Sequence, residues 1–147
     1  MNPPHFQNAL IPWIGKTAKL IHIHINDVMA QEGIDLTMQQ CIVLIYLYEK
    51  DDVSQQELAL ITERNKGSLA RLIHSMERKH LVARVPSEVD KRAKQILLTR
   101  KGLETIEKVK PLMEQTIQEL QHGLSQEEIQ LAIQVIQKLQ QNLKLTL

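Results

Sequence analysis

The sequence predicts a mainly α protein that carries one small antiparallel hairpin. Three observations predict it. Apolar residues recur at helical spacing over most of the chain, and Ser or Thr followed three positions later by Glu or Gln stands ahead of three of these runs. Between Leu81 and Leu98 the period changes, and short strand-like runs replace the helical pattern. The 147 residues and their 43% apolar share fit one domain with an ordinary core, over 1–147.

The elements follow in order. Leu10, Ile14, Ile21, Ile25 and Val28 mark a long first helix between Phe6 and Met29, and Gly33 stops it. Thr37 and Gln40 form a capping box that opens a second helix, which runs to about Lys50. Ser54 and Glu57 open a short third helix ending near Ile61. A fourth starts near Asn65 and carries one narrow stripe of Leu69, Leu72, Ile73 and Met76. Leu81–Val85 and Gln95–Leu98 are the strand-like runs, with a polar, basic tip between them. Thr99 opens a fifth helix through Leu103, Ile106, Val109, Met113, Ile117 and Leu120, where Pro111 predicts a kink or a break. His122-Gly123 ends it, and the Ser125…Glu128 box opens a sixth helix with Ile129, Ile133, Ile136, Leu139 and Leu143.

Composition excludes several classes. No run approaches the about 18 consecutive apolar residues that a membrane span needs, and no secretory pattern is visible at the start, so a cytoplasmic protein is expected. The single cysteine, Cys41, rules out a disulfide framework within the chain. Net charge is only +1, but its distribution is uneven: residues 1–63 hold 3 Lys/Arg and 8 Asp/Glu, residues 64–101 hold 11 and 3, and residues 102–147 hold 4 and 6. A central segment of net +8 between acidic flanks is the footprint of polyanion binding, because each cation placed on a phosphate releases condensed counterions. A solvated charged face would give the same count.

Secondary structure separates the two. A short helix, a tight connection, a second helix and a basic hairpin form the order of a winged helix-turn-helix over 36–100, with a small two- to three-stranded antiparallel wing. The second helix of that pair enters the major groove of DNA. With the apolar stripe turned inward, the opposite face carries Arg64, Gly67, Arg71, His74 and Arg78, with Ser68 at its flank. Asn65, Lys66 and Ser68 stand at the helix start, where free N–H groups and side chains meet phosphates or base edges. Gly67 costs roughly 0.8–1 kcal/mol against alanine in a helix. Its presence fits a close approach of DNA backbone, or simple tolerance in a frayed first turn. In the hairpin, Arg84, Lys91, Arg92 and Lys94 crowd a segment suited to a minor groove, and Asp90 fixes the tip by pairing with Arg92 or a backbone donor.

From Leu36 to Gly102 the sequence resembles the MarR (multiple antibiotic resistance regulator) family of transcription factors. The resemblance rests on Leu36-Thr37-x-x-Gln40, Lys66-Gly67-Ser68-Leu69-Ala70-Arg71-Leu72-Ile73, Glu77-Arg78-Lys79-x-Leu81-Val82-x-Arg84, Asp90-Lys91-Arg92 and Leu98-Thr99-x-x-Gly102. It implies a homodimer joined by long terminal helices at 1–32 and 103–147, two winged modules on a pseudopalindromic operator, and often a small-molecule or redox input that releases DNA. It also implies that Arg92 enters the minor groove and that Asp90 orients it. Independently, apolar stripes on the first and last helices exceed what a small winged core covers, which asks for a second copy.

Other residues are weighed and mostly set aside. Cys41 lies among Ile42, Val43 and Leu44 with no adjacent base, the setting of a buried inert thiol rather than a sensor. His22 and His24 diverge by about 200° on a helix, so no metal site is expected. No cofactor motif appears, and no nucleophile-base set or paired carboxylates suggest an enzyme. If a pocket lies between the first two helices and the winged module, Trp13 and His22 line it for a small aromatic or phenolic effector; core packing is the alternative for Trp13. The reading is therefore a dimeric DNA-binding repressor. The competing reading is a winged-helix module that uses the same faces to bind a protein.

Overall fold

All three capping boxes close. In the computed structural model, which describes residues 5–50, 53–62, 64–88 and 94–145, Thr37 Oγ1 accepts from Gln40 N while Gln40 Oε1 accepts from Thr37 N, both at 3.2 Å. This opens α2 (Met38–Glu49). Ser54 and Glu57 exchange the same pair of bonds at 3.1 and 3.2 Å at the start of α3 (Gln55–Ile61), and Ser125 and Glu128 do so at 3.1 and 2.8 Å before α6 (Gln126–Leu145). Each box satisfies two backbone donors that a helix start otherwise leaves unpaired.

The first helix begins later than its periodicity suggested. Phe6–Asn8 is a separate 3₁₀ turn, Ala9 is extended, and α1 runs over Leu10–Gln31. Pro12 explains the break: it has no N–H to give the carbonyl of residue 8, so a helix begun at Phe6 would lose a bond there. Started at Leu10, the helix holds Pro12 inside a first turn whose N–H groups need no internal partner. Its far end is closed by Gly33 at φ +68°, with Ile34 N donating to Met29 O at 2.9 Å and Gly33 N to Ala30 O at 3.0 Å.

The fourth helix, α4 (Lys66–Arg78), ends in the same two-bond pattern without a glycine. His80 takes φ 60°, Leu81 N donates to Met76 O at 3.0 Å, and His80 N donates to Glu77 O at 2.9 Å. A side chain in this left-handed region costs about 1 kcal/mol, which the two bonds and the burial of Met76 and Leu81 offset.

The chain then forms β2 (Val82–Pro86) and β3 (Lys94–Leu98), joined to a short β1 (Val53–Ser54) in an antiparallel sheet of order β1-β3-β2. Register is fixed by Val82↔Leu98, Arg84↔Ile96 and Pro86↔Lys94 on one side of β3 and Val53↔Ile96 on the other. Relative to the apolar runs, β2 is shifted by one residue, from Leu81–Val85 to Val82–Pro86, and β3 is one residue longer, starting at Lys94. Pro86 is tolerated because β2 is an edge strand. The tip residues Asp90, Lys91 and Arg92 lie outside the described residues.

Two compact units divide the chain, Met1–Leu112 and Met113–Leu147. In the first, Val43, Leu44 and Leu47 of α2, Leu58 of α3, Leu69, Ile73 and Met76 of α4, and Val53 and Ile96 of the sheet are all buried. The fifth helix, α5 (Arg100–Leu120), is continuous through Pro111 rather than broken there. Its start is locked to the connection between α4 and β2. Thr99 Oγ1 accepts from Gly102 N at 3.0 Å and donates to His80 O at 2.6 Å, while Thr99 N donates to Leu81 O at 3.1 Å. Gly102 comes so near that a Cβ there would lie 2.1 Å from Leu81 O, so only glycine fits. In the second unit α6 leaves Leu131, Ile133, Ile136 and Leu143 exposed.

Candidate nucleic-acid interface

The sequence of α4 sorts itself around the helix axis. Leu69, Ile73 and Met76 are buried, Leu72 is half-buried at the flank, and Gly67, Arg71, His74 and Arg78 are exposed. The outward face inferred from the wheel therefore exists, with one correction. Arg64 precedes the N-cap, so the wheel does not govern it, and it is half-buried. Its Nε donates to Gln39 Oε1 at 3.0 Å, its Nη2 donates to the same oxygen, and its Nη1 donates to Ser68 Oγ at 2.6 Å. Arg64 thus clamps the first turn of α4 to the start of α2 instead of facing outward.

Asn65 also has a structural task. Its Oδ1 accepts from Ser68 N at 2.8 Å and caps the helix. Arg71 lies over the first turn, its Nη1 3.8 Å from where a Cβ on Gly67 would stand. That separation is an ordinary van der Waals contact, so nothing among the described residues requires glycine at this position.

Beside α4 a cleft of about 720 Å³ opens toward the sheet. It brings together Lys66 from the start of α4, Arg84 from β2 and Lys94 from β3, three of the cations expected at a nucleic acid, and is also lined by Ser54, Gln55 and Gln56. Lys66 and Lys94 are exposed. Arg84 is half-buried, and its Nε donates to Glu77 Oε1 at 2.7 Å, so its charge is already paired.

A polar seam fixes α4 from behind. Gln40 is buried; its Nε2 donates to Ser75 Oγ at 3.0 Å, and its Oε1 accepts from Lys79 Nζ at 3.1 Å. Ser75 Oγ in turn donates to Leu72 O at 2.6 Å. In the sequence Gln40 is legible as half of a capping box and as part of the Leu36-Thr37-x-x-Gln40 motif. Its bond to Ser75 depends on which helix packs opposite, which no local pattern reveals.

Cys41 is buried in α2, and burial pushes its thiol up to about 11. His22 is half-buried and Trp13 is exposed on α1, where Trp13 Nε1 donates to Gln7 O at 2.8 Å; core packing of Trp13 within this chain is not seen. Neither lines the clefts described here. Among the described residues no three or more His, Cys, Asp or Glu side chains are grouped to hold a metal, and no helix is long and apolar enough to cross a membrane.

The sequence model of the MarR family matches residues 34–93, the stretch that holds α2, α3, α4 and most of the wing. Over this stretch the chain is similar to the MarR family. Solved MarR structures share its architecture over nearly the whole length. AbsC, a MarR family transcriptional regulator from Streptomyces coelicolor, is 26% identical with a TM-score of 0.82, covering 91% of this chain and 93% of AbsC. The DNA complex of S. aureus MepR gives 24% identity and a TM-score of 0.84 over 94% and 99% of the two chains. Bordetella bronchiseptica BpsR, whose DNA binding is regulated by 6-hydroxynicotinic acid, gives 20% and 0.83 over 94% and 97%. At these lower identities the likeness is one of fold.

Proposed function

We propose that this protein is a member of the MarR family and acts as a dimeric, DNA-binding transcriptional repressor. The observation that carries the reading is the exposed basic face of α4, set beside a cleft where Lys66 and Lys94 stand exposed. Arg71 and His74 read base edges in the major groove, while Asn65, Lys66, Gly67 and Ser68 meet the phosphate backbone at the start of α4. Lys94, with Lys91 and Arg92 of the tip, carries the wing into the minor groove, and Asp90 orients Arg92.

Pairing follows from exposed apolar side chains. Leu10, Ile11, Leu20 and Ile23 of α1 and Leu131 and Leu143 of α6 are open to water, surface that a second copy covers. Two-fold pairing sets two recognition helices roughly 34–36 Å apart on a pseudopalindromic operator. By analogy with BpsR, a small molecule controls release, and the protein works in the cytoplasm where its operator is.

The test is fluorescence anisotropy on the DNA upstream of the protein's own coding sequence, against random duplex of equal length. Wild type should prefer the upstream site, and Arg71→Ala and Arg92→Ala should each weaken it by at least about tenfold. Equal affinity for both duplexes, unchanged in either variant, overturns the reading in favour of a protein-binding module.

A further inference from the structure

A second cleft, of about 270 Å³, lies between the turn that joins α1 to α2 and the first turns of α5. Its floor is apolar, with Leu36 and Leu81 buried and Ile34 half-buried beside them. Its rim is cationic. Lys101 and Lys108 stand two helical turns apart on α5 with Thr105 between them, and Lys79 meets them from the end of α4. Asp35 is the one carboxylate among the described residues that line the cleft. None of these residues belongs to the reading face of α4 or to the cleft beside the wing.

Lysines gathered around a concavity repel one another unless an anion sits among them, and low-dielectric walls strengthen the field there. Lys79 is only loosely neutralised: its Nζ donates to Asp35 O at 2.8 Å and to Gln40 Oε1 at 3.1 Å, and it reaches Asp35 Oδ1 at 3.4 Å on a side chain that is 95% exposed. The cleft is smaller than the range of about 300–1,000 Å³ usual for drug-sized ligands.

We propose that this cleft binds a small organic anion bearing two or more carboxylate or phosphate groups, and that the bound anion draws Lys79 away from Asp35 and Gln40. Lys101 and Lys108 hold the acidic groups, Thr105 donates between them, and the apolar floor takes the carbon skeleton. Losing Lys79 alters the seam through which Gln40 holds Ser75, and with it the seating of α4. This regulatory half rests on the DNA-binding reading above; binding in the cleft does not.

The experiment titrates the full chain with citrate and with pyrophosphate by calorimetry, ionic strength being matched with chloride, for wild type and the double variant K101A/K108A. Thermal unfolding confirms that the variant folds. At least one probe should bind wild type with one site per chain and a Kd on the order of 1 mM or tighter, and the variant should lose about tenfold or more. No saturable heat with either probe, or unchanged binding in the variant, overturns the site. Affinity for the upstream DNA is then measured with and without the binding probe. A shift of about threefold or more in wild type that vanishes in K101A/K108A supports the coupling, whereas an equal shift in both is an ionic effect only and overturns it. If wild type shows no preference for its upstream DNA, the regulator reading fails while the calorimetry still decides the cleft.

Discussion

Arg84 Nε donates to Glu77 Oε1 at 2.7 Å, which ties the first wing strand to the last turn of the recognition helix. Both side chains are partly shielded, at 24% and 31% exposure. The pair sets the angle between helix and wing more than it stabilises the fold, since partly exposed pairs contribute only about 0–1 kcal/mol.

Arg84 should therefore differ from its neighbours in how it responds to salt. Removing a cation that neutralises a phosphate lowers the slope of log K against log salt by about 0.9. Lys66→Ala should show that change. Arg84→Ala should show clearly less, with an affinity loss that Glu77→Ala reproduces, although Glu77→Ala makes the protein more positive. An increase in affinity for Glu77→Ala sinks the positioning role.

Gly67 gives the opposite dissociation. Among the described residues a Cβ there meets nothing closer than 3.7 Å, so Gly67→Ala should keep or raise thermal stability, by up to about 1 kcal/mol from helix propensity. The same change should weaken operator binding several-fold if DNA backbone approaches this turn. Denaturation and anisotropy on one sample decide it, and unchanged affinity would return Gly67 to a tolerated first-turn residue.

Gly102 is structural. Gly102→Ala sets a Cβ 2.1 Å from Leu81 O, a backbone atom that cannot rotate away. Stability should fall by about 2 kcal/mol or more in urea unfolding at fixed protein concentration, in line with overpacking of a tight site. A loss below about 0.5 kcal/mol would show that α5 shifts freely.

Cys41 should be silent. With burial pushing the thiol up to about 11, only about one molecule in a thousand carries the thiolate at pH 8. Labelling by a thiol reagent should proceed only as fast as the protein opens, and peroxide should leave DNA affinity unchanged. Rapid labelling of the native protein would contradict the burial of Cys41.

What was legible in the sequence was local. Thr37, Ser54 and Ser125 each announced a helix start because a capping box needs only residues three positions apart, and the buried stripe of Leu69, Ile73 and Met76 followed from the helical repeat. What escaped was contact between elements. The helix wheel places Arg64 on the reading face, whereas it bonds Gln39 of α2, and the sequence shows Arg84 as a basic residue of the wing without its ion pair to Glu77. Neither partner is marked by any spacing rule. The start of α1 was misplaced because periodicity carries no information about a missing N–H, and Pro12 supplied that correction.

The apolar side chains left uncovered on α1 and α6 bear on abundance as much as on architecture. In the dimeric repressor proposed above, whose two reading heads come from separate chains, operator occupancy at low copy number rises with the square of chain concentration, because assembly precedes reading. A modest change in synthesis then becomes a steep change in silencing. The regulated promoter answers to how many copies exist before any small molecule intervenes.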